Sequence, residues 1–195
     1  EIRGAGNLLG SQQHGHIASV GFEMYCRLLE EAVQAIKNGK ETEIIHDPVI
    51  ELPVEAYIDG SYISDPAHKI EIYQRIAAIH TEEEIANLQD ELIDRFGDPS
   101  EAVMRLLQVA RLRNYARSAG VKVVSLKPAG LEITFLEKPN FDLDRLLAMK
   151  EKMAGKMKFL MQQQMVRIKV PPMKQGSLLA YVQRFLCELL GKEVS

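Results

Sequence analysis

Val121-Lys122-Val123-Val124-Ser125-Leu126, then Lys127-Pro128-Ala129-Gly130, then Leu131-Glu132-Ile133-Thr134-Phe135-Leu136, decide the fold of this 195-residue chain. Two runs rich in β-branched residues flank a short break with proline and glycine, the pattern of a strand hairpin. Three helical segments with legible starts precede it. Asp65-Pro66 offers an N-cap and a proline at the first helical position, and Thr81 with Glu84 forms a capping box. Asp98-Pro99, with Glu101 three positions after the cap, opens the third, and Gly97 and Gly120 stand where the second and third should stop. Further upstream, alternation at Ile50, Leu52, Val54, Ala56 and Ile58, ended by Asp59-Gly60, predicts one strand with one buried face. Downstream, the pattern predicts a helix over 142–154 and strands over 159–161 and 165–170, bounded by Pro171-Pro172. A last helix over 177–190 places Leu178, Tyr181, Val182, Phe185 and Leu189 on one face. That order predicts an α+β fold, a small mixed or antiparallel sheet packed by helices, with too few βα alternations for a long parallel sheet.

The front of the chain reads differently. Residues 4–16 hold four of the thirteen glycines, a density that marks unusual backbone rather than a helix interior. Phe22, Tyr25, Cys26, Leu29, Val33 and Ile36 then follow helical spacing, with Gly39 as the stop. The polar connection over 38–48 divides a front piece, 1–45, from a rear domain, 46–195.

Hydrophobic residues make up 46% of the chain and charged residues 26%, which excludes wholesale disorder. No apolar run approaches the ~18 residues of a membrane span. The first residues, Glu1-Ile2-Arg3-Gly4, carry neither an initiator Met nor a signal-peptide apolar region, so the chain reads as a piece of a longer protein. Cys26 and Cys187 lie in different predicted helices, which argues against a disulfide framework and for a reducing, cytoplasmic setting. The net charge of −3 conceals an asymmetry: residues 46–104 hold 3 basic and 14 acidic side chains, residues 105–174 hold 15 and 5. Either the two blocks face each other within one fold, or the basic segment 105–174 is the surface of a nucleic-acid-binding accessory module.

Chemistry-bearing motifs are sparse. No G-x-x-x-x-G-K-[ST] phosphate loop occurs, and Gly4-Ala5-Gly6 has Leu9 where a dinucleotide fingerprint needs glycine or alanine. His14, His16 and Cys26 have no second ligand cluster to complete a zinc site, and His46, His68 and His80 are scattered. Glu30-Glu31 reads as a solvated helix face, and Glu82-Glu83-Glu84 as a helix first turn where acid suits the dipole. Met149, Met153, Met157, Met161 and Met165 read as adaptable core packing. No catalytic residue and no metal ligand is assigned, and the chain on its own does not read as an enzyme.

A resemblance adds to this reading. Glu1-Ile2-Arg3-Gly4-Ala5-Gly6-Asn7-Leu8-Leu9-Gly10, with Gln13, Gly15 and Val20-Gly21-Phe22-Glu23-Met24-Tyr25, resembles the translocation motif that ends the motor of RecG-type DNA translocases. Tyr73-Gln74-Arg75-Ile76-Ala77, Glu91-Leu92-Ile93-Asp94-Arg95-Phe96-Gly97 and Ala110-Arg111-Leu112-Arg113 resemble the C-terminal domain of the bacterial transcription-repair coupling factor family.

The resemblance implies that residues 1–45 are a helical hairpin and loop from the second motor lobe, helping to turn ATP hydrolysis into movement on double-stranded DNA. Arg3 and Gln13 would link motor core to DNA-facing element, with Gly4, Gly6 and Gly10 permitting the tight backbone between them. Gln12 and His14 replace an acidic residue and a serine of the pattern, which leaves Gln12 as a rival to Gln13. ATP and Mg belong to the motor upstream, so this piece needs no cofactor. For 46–195 the family implies autoinhibition: packing on an N-terminal UvrB-like module of the same protein, covering the surface that recruits UvrA and restraining the motor until RNA polymerase is bound. Arg111, Arg113 and Arg117 are candidates for interdomain or nucleic-acid contact.

Overall fold

The first four described helices begin where an oxygen-bearing side chain is placed to accept a backbone N–H that the first turn leaves unpaired. In the computed structural model of the chain, which describes residues 47–192, Asp65 caps α1 (Pro66–Ala77) by accepting from the Ala67 N–H. Thr81 caps α2 (Glu82–Phe96), and its capping box is complete: Glu84 reaches back to the Thr81 N–H while Thr81 accepts from Glu84. The third start differs from expectation. Ser100, not Asp98, caps α3 (Glu101–Ser118), because its hydroxyl is the one that reaches the Val103 N–H. Asp142 caps α4 (Leu143–Lys152), and α5 runs Gln175–Leu190, two residues earlier than its spacing predicts.

The sheet has five strands in the order β1-β2-β3-β5-β4: Val49–Glu51, Val121–Lys127, Gly130–Phe135, Met165–Ile168 and Met157–Leu160. Only β1 and β2 run parallel; every other neighbouring pair is antiparallel, so the sheet is mixed and the fold α+β as expected. The hairpin of β2 and β3 forms where the sequence places it. Gly130 has φ +134, and a Cβ there would lie 2.4 Å from the Ile168 carbonyl oxygen on β5, so only glycine fits the point where the turn meets the next strand. Gly120, at φ +67 after α3, is excluded from bearing a side chain by Pro139 Cα at 2.9 Å.

One expected strand is largely absent. The alternation over 50–58 yields a strand of only three residues, Val49–Glu51, and the rest is extended chain without a ladder. Leu52, Val54, Ala56 and Ile58 are buried as the alternation requires, but side chains replace the neighbouring strand. The Glu55 N–H donates to Gln175 Oε1, the Ile58 N–H to the Tyr73 hydroxyl, and the Glu55 carbonyl accepts from Arg105 Nε. Pro53 has no N–H to offer a ladder. A period-2 burial pattern reports one covered face, and does not by itself report what covers it.

The core rows of the sheet are Ile50, Val124, Ile133, Val166 and Phe159, then Leu126, Leu131, Ile168 and Met157. α3 lies against β1 and β2 and packs on α5, α1 and α2, which makes it the central helix. It buries residues on nearly every side, from Ala102 to Ala116, so it shows little amphipathic contrast. α1 and α2 show ordinary inward stripes, Ile72 and Ile76 on one, Ile85, Leu88 and Leu92 on the other. Of the methionines read as core packing, Met149 and Met157 are buried, whereas Met161 is 80% exposed in a short 3₁₀ turn beyond β4. Residues 1–46 lie outside the described residues, and with them the glycine-rich segment, Arg3, Gln13, Gly4, Gly6, Gly10, Cys26, the helix over 22–36 and the domain boundary near 46.

Candidate functional site

The α1–α2 pair carries most of the quoted rear motifs, and its side chains are joined by ion pairs. Arg75 on α1 presents its guanidinium fork to Glu91 on α2, at 2.6 and 2.5 Å. Arg95, one turn further along α2, donates to Glu91 at 2.7 Å and to Glu71 at 3.4 Å, and lies over the Phe96 ring. Hydrogen bonds first from Arg75 and then from Arg95 hold the Glu91 carboxyl down to about 2. The chain before α1 is fixed to the same pair. Tyr62 places its hydroxyl 3.0 Å from the carbonyls of Leu92 and Gly97, closing the end of α2. Asp59 accepts from the Ser61 hydroxyl, the Ser100 hydroxyl and the Ser61 and Tyr62 N–H groups; the first two dominate in lowering its carboxyl to about 2.

The arginines of α3 face this acidic half of the domain. Arg111 Nε donates to Glu82 at 2.6 Å. Arg113 is only 6% exposed and donates from Nη2 to the carbonyls of Ile76 and Ala77, at 3.0 and 2.9 Å, at the C-terminal end of α1. Arg117 reaches Asp47 from Nε at 3.0 Å and through a close Nη2 contact, and its Nη1 lies 2.8 Å from His80 Nδ1 and 3.2 Å from Asn114 Oδ1. On α3 the opposed charge blocks therefore meet inside the fold. The sequence reading singled out these arginines by charge; what it missed was the acceptor of each, 29 to 70 positions away.

Beyond α3 the cations are differently placed. Lys127 pairs with Glu51, Arg167 with Glu132 and Lys152 with Glu188. Lys122, Lys138, Lys156, Lys158, Lys169 and Lys174 have no carboxylate within ion-pair distance among the described residues.

Among the described residues, groups with nucleophilic or ligating character are covered or isolated. Cys187 is fully buried beside Tyr115, and burial pushes its thiol up. The Tyr115 hydroxyl is pushed up to about 12, by burial first and then by Cys187. No three His, Cys, Asp or Glu side chains converge as a metal set among the described residues. A shallow pocket of about 310 Å³ beside the hairpin turn is lined by Pro53, Pro128, Pro171, Pro172 and Leu178, with Lys127 its one charged side chain. What this surface offers is ion-paired structure and exposed charge, suited to contact with another macromolecule.

Comparison with known proteins agrees. The TRCF domain matches residues 52–146, the span that holds α1, α2, α3 and the hairpin. A transcription-repair-coupling factor of Staphylococcus epidermidis is 42% identical over 144 residues, 73% of this chain and 12% of the relative. This chain belongs to the transcription-repair coupling factor family. The Bacillus subtilis member is 40% identical over 143 residues, again 73% of this chain and 12% of its own length. The chain therefore spans about an eighth of the length of these relatives. A crystal structure of the C-terminal domain of a transcription-repair coupling factor superposes with a TM-score of 0.65 at 27% identity, covering 75% of this chain and 94% of that one. The α+β fold is thus the fold of the family's C-terminal domain. Within the match, Arg75, Glu91 and Arg95 do structural work, locking α1 to α2. No described helix is long and apolar enough to cross a membrane.

Proposed function

We propose that this chain is the C-terminal regulatory part of a cytoplasmic DNA translocase that couples transcription to nucleotide excision repair. In the whole protein, residues 46–195 act as a lid on an N-terminal UvrB-like module, masking the surface that recruits UvrA and restraining the motor until stalled RNA polymerase is engaged. Residues 1–45 are the motor's translocation element, with Arg3 and Gln13 relaying the nucleotide state and ATP and Mg held upstream; the piece itself hydrolyses nothing. Family membership is the observation that carries this reading. The internal pairing of the α3 arginines supports a further detail. Arg111, Arg113 and Arg117 serve the lid by holding α1, α2 and the chain entry at Asp47 in one arrangement, so that a rigid surface is presented to the docking partner. A lid tethered in the same chain functions with weak contacts, because its effective concentration is high, and its release is a shift between two states.

The motor half of this proposal is tested by DNA-stimulated ATP hydrolysis of the whole protein, intact and ended after His46. A restraining domain gives a faster truncated enzyme. Equal or slower turnover contradicts the restraint.

A further inference from the structure

The outer edge of β4 combines a free backbone with a block of cations. β4 ends the sheet, and among the described residues no strand pairs with its far side. The Lys169 N–H donates to the Lys156 carbonyl at 2.8 Å, so Lys156 and Lys169, just beyond the β4–β5 ladder, continue its register as a half-made hydrogen-bonded pair, while the Lys156 N–H turns back to the Met153 carbonyl at 3.0 Å. In an antiparallel ladder such pairs alternate with pairs whose backbone groups point away. The N–H and C=O groups of Met157 and Phe159 therefore point outward from the edge.

The side chains along the same edge are unusual. Lys156 stands opposite Lys169 and Lys158 opposite Arg167, two successive like-charged cross-strand pairs on the sheet face that bears no core row. Like charges directly opposite destabilise a sheet. Of the four, only Arg167 has a carboxylate partner among the described residues, Glu132. Lysine on an edge strand is a common guard against unwanted pairing, but Arg167 belongs to β5, which is covered on both sides, and Lys169 directly follows it, where no guard is needed. Next come Leu160, half-buried at the end of β4, and Met161, 80% exposed just beyond it.

We propose that this edge takes up an acidic, extended segment of a partner protein, which adds a sixth strand beside β4 by main-chain hydrogen bonds to Met157 and Phe159. Lys156 and Lys158 are two residues apart, about 6.6 Å along the strand, which is the spacing of alternate carboxylates on an extended segment. Those carboxylates fall in the non-hydrogen-bonded positions of the new ladder, where facing Cα atoms come closest. An apolar residue two further along meets Leu160. The exposed face offers Val49, Val123, Thr134, Met165 and Leu160 and no aromatic ring on which a nucleobase could stack, which favours a peptide over single-stranded nucleic acid.

The probe is a fluorescein-labelled peptide alternating threonine and glutamate, with valine at the end that meets Leu160. Its twin carries N-methyl groups on the threonines that bond the edge, which keeps the charge and removes the donors. Anisotropy titrations with the full chain at one salt concentration are expected to show saturable binding of the plain peptide. Binding at least tenfold weaker is expected for the twin, and for a Lys156→Glu, Lys158→Glu variant. That variant should melt no lower than the parent chain, since it removes like-charge pairs. Equal binding of the twin, unchanged binding by the charge-reversed variant, no binding of the plain peptide, or its displacement by duplex DNA of equal charge at lower concentration would each overturn the proposal.

Discussion

Replacing Arg113 probes how far the α3 arginines are structural. Its Nη2 forms two hydrogen bonds to the Ile76 and Ala77 carbonyls in a site where the residue is 6% exposed. Hydrogen bonds to a charged group contribute about 1.5–3 kcal/mol each, so these two alone are worth about 3–6 kcal/mol to the folded state. Methionine also avoids the several kcal/mol that desolvating a guanidinium costs, but it takes the guanidinium donor from the Ala77 carbonyl, at about 1–3 kcal/mol, while the Ile76 carbonyl keeps the Ile79 N–H. The balance is a destabilisation of about 3 kcal/mol. Arg113→Ala should lose about 1–2 kcal/mol more, because truncation adds a cavity. In a domain this size, about 3 kcal/mol lowers Tm by about 6–12 °C. Urea denaturation measures it directly: the midpoint should fall with an unchanged slope. A loss under about 1 kcal/mol for the Met variant refutes the reasoning, and would mean that Arg113 is available for contact outside the domain.

Three further outcomes follow from the same geometry. Gly130→Ala should cost about 2–4 kcal/mol, since the added Cβ meets the Ile168 carbonyl of β5, and amide exchange should show the β3–β5 ladder opening first. Asp59 and Glu91 are held near 2 in the folded state, below the ordinary carboxylate range. Their contribution is full above pH about 4.5 and is lost as pH falls through 4.5 towards 2, so an acid melt in which Glu91→Gln abolishes part of that slope checks the sign. A double-mutant cycle on Asp47→Asn and Arg117→Met should return a coupling of about 1 kcal/mol or more, since the pair is partly buried with side chains 26% and 18% exposed; additivity would show the pair to be idle.

Local chemistry was legible in the sequence wherever one residue decides the outcome. Asp65-Pro66, the Thr81–Glu84 box and Gly97 mark helix ends because capping involves residues at most a few positions apart. The hairpin was legible for the same reason. What eluded the reading depends on distant partners. Leu52 to Ile58 alternates like a strand, yet Gln175, Tyr73 and Arg105 occupy its backbone. Ser100 displaced Asp98 as a cap because the orientation of the chain, and not residue type, chooses between two good caps two residues apart. For the candidate site, the charge blocks were countable, but whether a cation pairs inward like Arg117 or has no carboxylate partner among the described residues like Lys158 is a property of topology. Arg75 and Arg95 were recognisable as motif residues, while their common partner Glu91 shows what joins them across the α1–α2 pair.

The central claim is that residues 46–195 form a lid over the UvrA-recruiting surface, and UvrA affinity tests it most directly. Binding would be measured for the whole protein, intact and ended after His46, at one fixed salt concentration. The account predicts tighter binding after truncation, with the affinity ratio giving the closing free energy of the lid. Unchanged affinity, together with a loss of salt-sensitive DNA binding, would contradict it and assign the domain to nucleic-acid contact instead.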